Sequence, residues 1–102
     1  MQMDGLETKA SEVAETLRAL ANERRLLLLC HLTETGEATA HSLAEAVGLS
    51  PSALSQHLSK MRSEGLVTFR RDGQTLWYRI ADPRIEQLLA TLHALYCRTP
   101  QH

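Results

Sequence analysis

Long apolar runs are missing from this chain of 102 residues, the longest being Leu26 to Cys30. That is far short of the roughly 18 residues a membrane span requires. The acidic N-terminal stretch also lacks the basic-then-apolar order of a signal peptide, so a cytoplasmic protein with no membrane partner is expected. Cysteine is scarce. Two thiols in a cytosolic chain are expected to rest reduced, which makes them poor structural staples and fair candidates for redox or metal chemistry. An excess of basic charge is lacking too: the net charge is -1 and the pI near 6.5. On its face this opposes a nucleic-acid partner, because neutralising phosphates takes clustered Lys and Arg. Internal repeats, flexible linkers and low-complexity segments are absent, so residues 1–102 are expected to form one domain. A domain of this size buries only about 60 to 70 % of its unfolded surface, and a dimer would enlarge its core.

What is present is an ordinary globular composition, 43 % apolar and 23 % charged, with the charge unevenly placed. Residues 1–49 hold four basic and eight acidic side chains, a net of -4, whereas residues 50–79 hold five basic and two acidic, a net of +3. The positive stretch coincides with the segment whose pattern suits a polyanion.

Leu6, Ala10, Val13, Ala14, Leu17, Leu20 and Ala21 recur at three- and four-residue steps, the stripe of an amphipathic first helix. Asn22 is suited to cap a second helix running to about Thr33, and its Leu26 to Leu29 run makes that helix central. Gly36 ends it. A short third helix holds Leu43, Ala44 and Val47 and stops at Gly48. Ser50 and Pro51 then supply a fresh cap and first position. The fourth helix, Pro51 to about Glu64, puts Leu54, Leu58 and Met61 on one face and Ser52, Ser55, Gln56, Ser59 and Lys60 on the other. Beyond Gly65, the segments Leu66 to Arg71 and Thr75 to Ile80 alternate as strands, with Asp72-Gly73 as the hairpin turn. Asp82 and Pro83 open a last helix with Ile85, Leu88, Leu89, Leu92, Leu95 and Tyr96 on one stripe, ended by Thr99-Pro100.

Four helices, a β-hairpin and a fifth helix make a mostly α winged helix-turn-helix, in which the second helix of the turn enters the major groove of DNA. Ser50, Ser52, Ser55, Gln56, Ser59 and Lys60 are the candidate contacts. Ser hydroxyls donate or accept, Gln56 suits adenine, and Lys60 suits a guanine edge or a phosphate. His57 borders the apolar face and fits either a phosphate contact or the edge of the core. Arg70, Arg71, Gln74 and Arg79 on the hairpin suit phosphates or the minor groove. Double-stranded DNA is the expected partner.

The segments Leu20-Ala21-Asn22-Glu23-Arg24-Arg25-Leu26, Leu43 to Ser50, Ser55-Gln56-His57-Leu58 and Gly65-Leu66-Val67 resemble the ArsR family of bacterial repressors, over nearly the whole chain. The resemblance implies a homodimer joined through the first and last helices. It also implies a pseudopalindromic operator, released when an inducer alters the dimer.

Family members that sense soft metals use a Cys-x-Cys pair where this chain has Thr39-Ala40-His41, and zinc-binding members use an Asp-x-His with further ligands on the last helix. Here Asp82-Pro83-Arg84 keeps only the Asp, and Leu95 and Arg98 hold the other places, so no metal site and no cofactor are expected. Cys30 and Cys97 remain, 67 positions apart. Cys97 lies beside Arg98 and one turn beyond His93, a setting that favours a reactive thiolate. Cys30, on an apolar helix, also fits a small buried hydrophobe. Their placement in Leu29-Cys30-His31-Leu32 and Leu95-Tyr96-Cys97 is similar to the dithiol, persulfide-sensing branch of BigR and SqrR type, which HlyU-like regulators share. That likeness implies a persulfide or polysulfide inducer. A metalloid held by the same thiols, and a redox-insensitive DNA-binding regulator, stay open as alternatives. A direct disulfide needs Cα atoms within about 7 Å. A wider gap would favour bridges with added sulfur. A thiol enzyme built on Cys97 and His93 would need an oxyanion site and a third orienting group, and neither is recognisable, so no enzyme is expected.

Overall fold

In a computed structural model, residues 4–97 are described. The elements are α1 (Asp4–Leu20), α2 (Glu23–Thr35), α3 (Ala40–Val47), α4 (Pro51–Ser63), β1 (Val67–Asp72), β2 (Thr75–Ile80) and α5 (Pro83–Tyr96). This is the expected order. Local chemistry sets most boundaries. Asn22 accepts from the Arg25 amide at 3.0 Å and starts α2, which runs two residues past the expected Thr33 to the positive-φ Gly36. Gly65 closes α4 in a Schellman arrangement: its amide bonds to the Arg62 carbonyl at 3.0 Å, and the Leu66 amide bonds to Met61 at 2.9 Å.

The core gathers where α2 passes between α3, α4, the hairpin and α5. Leu28, Leu29 and Leu32 of α2 meet Leu43 of α3, Leu54, Leu58 and Met61 of α4, and Ile85 and Leu89 of α5, with Val67 and Ile80 at the hairpin base. Arg25 also lies on this buried stripe of α2, three and four positions before Leu28 and Leu29. α1 adds only Leu20. Its Leu6, Val13 and Leu17 stay exposed, as do Leu95 and Tyr96 at the far end of α5. No described helix is long and apolar enough to cross a membrane.

The hairpin differs from expectation by one residue. β1 starts at Val67 rather than Leu66 and includes Asp72, which pairs with Thr75. The two-residue loop is therefore Gly73-Gln74, not Asp72-Gly73. The reason lies in φ: Gly73 takes +64° at the first loop position, and among the described residues no non-glycine has positive φ. That pattern belongs to a type II′ turn, which wants Gly first. The hairpin is tied to the linker between α2 and α3, because Ala38 and Tyr78 exchange two backbone bonds of 3.0 and 2.8 Å. The end of α5 lies at Tyr96, with Cys97 as cap, and Thr99-Pro100, expected to end it, falls outside the described residues.

Candidate DNA interface and thiol site

Gly48 takes the left-handed conformation at φ +67°, ends α3 and turns the chain into α4. Ser50 caps α4, its Oγ accepting from the Ala53 amide at 3.1 Å, and Pro51 takes the first position. The cap leaves the Ser50 hydroxyl proton free to donate outward. Burial of Leu54, Leu58 and Met61 sets the rotation of α4. Ser52, Ser55, Gln56, Ser59 and Lys60 are all exposed as a consequence. His57 is half-buried on the flank, between the two settings expected for it.

On the hairpin, Arg71, Gln74 and Arg79 are exposed, with Gln74 in the turn. Arg70 is exposed but engaged. Its Nε and terminal nitrogen donate to both Glu37 oxygens at 2.8 and 3.0 Å, and its guanidinium lies 5.7 Å from the Trp77 ring centre. The hydrogen bond from Arg70 holds the Glu37 carboxyl below the usual carboxylate range. Arg70 thus joins the hairpin to the linker between α2 and α3 and does not stand as a free cation.

Two arginines escaped the sequence reading. Arg25 donates to both Glu64 oxygens at 2.8 and 3.0 Å and to the Ala19 carbonyl at 3.0 Å, joining α1, α2 and the end of α4. Its position on the Leu28, Leu29, Leu32 stripe was the available signal. Arg62 continues the polar stripe of Ser55 and Ser59 along α4, and its guanidinium carbon stands 4.3 Å above the Phe69 ring centre.

Cys30 on α2 is half-buried and packs against the core, whereas Cys97 is exposed at the cap of α5, its amide donating to the His93 carbonyl at 2.8 Å. Both are free thiols. The fold brings them together: they line one open, largely apolar groove of about 630 Å³, with Leu26, Leu27, Leu92 and Tyr96 among its walls. Burial pushes the Cys30 thiol up from its ordinary value, and the nearby Cys97 and Glu34 push the same way. His93, expected beside Cys97, stands with Nε2 3.6 Å from Glu34 Oε2 across the groove. Arg98 lies outside the described residues.

Thr39 and Asp82, set above against metal-binding positions of the resembled family, serve local structure here. Thr39 caps α3 by accepting from Ser42 at 3.1 Å, and Asp82 caps α5 while pairing with the Arg84 guanidinium at 2.9 Å. Among the described residues, no group of three or more His, Cys, Asp or Glu side chains is placed to hold a metal ion.

A family profile described as bacterial regulatory protein, arsR family, matches residues 22–68. The chain is similar to the transcriptional activator HlyU of Vibrio cholerae, 38 % identical over 101 residues, 99 % of this chain and 93 % of that one. It is also similar to the HTH-type transcriptional regulator YgaV of Escherichia coli, 40 % identical over 92 residues, 90 % of this chain and 93 % of that one. Among solved structures, the transcriptional repressor BigR from Xylella fastidiosa matches with a TM-score of 0.86 at 33 % identity, covering 97 % of this chain and 100 % of that chain.

Proposed function

The chain belongs to the arsR family of bacterial regulatory proteins, which are DNA-binding transcription regulators, and from that premise we propose that it is a repressor whose grip on operator DNA is released by reactive sulfur at Cys30 and Cys97. One observation carries the reading: two thiols 67 positions apart in sequence line the same groove. Repression is the output that operator occupancy alone supplies, and the likeness to BigR supports it.

The chemistry follows from the difference between the thiols. Cys97 is exposed and reacts first with a hydropersulfide, taking its outer sulfur and releasing the donor's thiol. Cys30 takes a second sulfur in the same way. Condensation of the two cysteine persulfides forms a Cys30–S–Cys97 trisulfide and expels one hydrogen sulfide, so the donor's sulfane sulfurs are the oxidant. The added atom would suit thiols held farther apart than the roughly 7 Å between Cα atoms that a plain disulfide allows. A bridge from α2 to α5 pulls on the helix whose Arg25 holds Glu64 at the end of α4. In a homodimer paired through α1 and α5, this alters the spacing of two α4 helices that must sit about 34 Å apart on DNA.

The test is equilibrium binding to a duplex enriched from a random pool by the reduced protein. Polysulfide treatment is expected to weaken wild-type binding at least about tenfold, the order of discrimination an inducer typically supplies. Cys30→Ser and Cys97→Ser should keep full binding under the same treatment. Variants that still respond would remove the thiols from the mechanism. Stoichiometric arsenite retention that is lost in Cys97→Ser, with no polysulfide response, would replace sulfur by a metalloid. Equal binding in every state would leave a constitutive regulator.

A further inference from the structure

Three of the eight described arginines are compensated internally. Arg25 is held by Glu64, Arg70 by Glu37, and Arg84 by Asp82 and Glu12. Arg62 has no ion pair among the described residues, and Glu64, the acidic residue nearest to it in sequence, is already taken at both oxygens by Arg25. The Arg62 guanidinium instead lies on the face of Phe69 at 4.3 Å. That ring is held edge-on by Tyr78, with centroids 5.4 Å apart. Tyr78 is fastened in turn by its two backbone bonds to Ala38. The cation is therefore placed on a platform built into the hairpin, and stacking on a ring leaves the N–H edge of a guanidinium open for a two-pronged anion contact.

The surroundings fit an anion of extended shape. A groove of about 630 Å³ runs along the seam between α4 and the hairpin, with Ser55, Ser59 and Arg62 on the helix side and Phe69, Leu76 and Tyr78 on the hairpin side. Ser55 and Ser59 are also candidate DNA contacts on the exposed face of α4, so a duplex held by that face would carry its backbone along this seam.

We propose that Arg62 is a backbone-phosphate ligand of the bound duplex and that Phe69 is its positioning residue. The inference rests on duplex binding and is independent of the thiol switch.

The test measures binding of the reduced protein, as a function of salt, to the enriched duplex and to a scrambled duplex of equal length. Loss of one phosphate contact lowers the slope of log K against log salt by about 0.9 on B-form DNA. Arg62→Gln is expected to show that drop and a loss of about tenfold on both duplexes, the scale of one charge-assisted hydrogen-bond pair. Arg62→Lys should restore most of the slope. Phe69→Leu keeps the cation but loses its seat, so affinity should fall with the slope nearly intact. An unchanged slope in Arg62→Gln, or a loss confined to the enriched duplex, overturns the assignment. So does saturable binding of inorganic phosphate to the free protein that Arg62→Gln abolishes while the DNA slope stays whole. Failure of the wild-type protein to bind any duplex would instead strike the DNA reading itself.

Discussion

Arg25 carries a full charge into the interior of α2, with only 9 % of its side chain exposed, and the fold satisfies it with both oxygens of Glu64 and the Ala19 carbonyl. Removing one partner of such a pair leaves the other charge stranded, which costs about 3–5 kcal/mol when both are buried. Glu64 is one-third exposed, so water replaces part of what is lost. Glu64→Gln is expected to cost about 2 kcal/mol, read as a lowered urea midpoint. The pH dependence has a definite sign. The hydrogen bond from Arg25 holds the Glu64 carboxyl below its ordinary value, so the pair contributes fully above about pH 4.3 and its contribution is lost as pH falls through the depressed value. Wild-type stability should fall in that acid window more steeply than that of Glu64→Gln. The thiols make a second residue-scale prediction. Burial raises the Cys30 thiol above its ordinary value, so at neutral pH iodoacetamide should label Cys97 well before Cys30, as peptide mass analysis would show. Equal rates would contradict the order of attack proposed above. At this scale the sequence displayed the two cysteines and the polar stripe of α4, because type and spacing suffice to see them. It did not display the Arg25–Glu64 pair, whose partners are separated by 39 residues, nor the Phe69 seat of Arg62, which depends on how the hairpin lies against α4.

Elements were legible where capping chemistry is local. Asn22, Ser50 and Asp82 each accept from an amide two or three residues onward and start their helices where sequence places them, and Thr39 does the same for α3, whose start the sequence left open. Ser50→Ala should therefore cost about 1 kcal/mol in thermal or urea unfolding. It should also weaken duplex binding, because the first turn of α4 carries the candidate base contacts. A variant as stable as wild type would remove the cap from the account. The hairpin shows the limit of motif reading. Asp-Gly is a strong turn signal, yet here Asp72 pairs across the strands and Gly73-Gln74 makes the bend. The Ala38 to Tyr78 bridge left no trace in the sequence, since a single-residue pairing has no periodicity to detect.

For the whole molecule, the stripe on α1 was legible but its burial was not, because an amphipathic pattern says that a face is apolar without saying what covers it. Within one chain, Leu6, Val13 and Leu17 are 52, 41 and 54 % exposed, and Leu95 and Tyr96 on α5 are 71 and 82 % exposed. The radius of gyration, 15.1 Å, exceeds the roughly 13 Å of a compact chain this long, which fits a protomer whose outer helices are shaped for a second copy. Leu17→Glu is expected to shift sedimentation from dimer to monomer and to abolish tight duplex binding. A fully dimeric variant would place the contact elsewhere. In the proposed switch, sulfur chemistry at two residues bridges two helices and releases DNA from the assembly. Its most direct measurement is intact mass and duplex binding on the same sample after polysulfide, with a peroxide-treated sample alongside. The expected result is a cross-linked protein heavier than the plain disulfide by one or more sulfur atoms, rising in step with loss of bound DNA. A sulfur bridge that leaves DNA binding intact, or DNA release without any Cys30–Cys97 bridge, would contradict it.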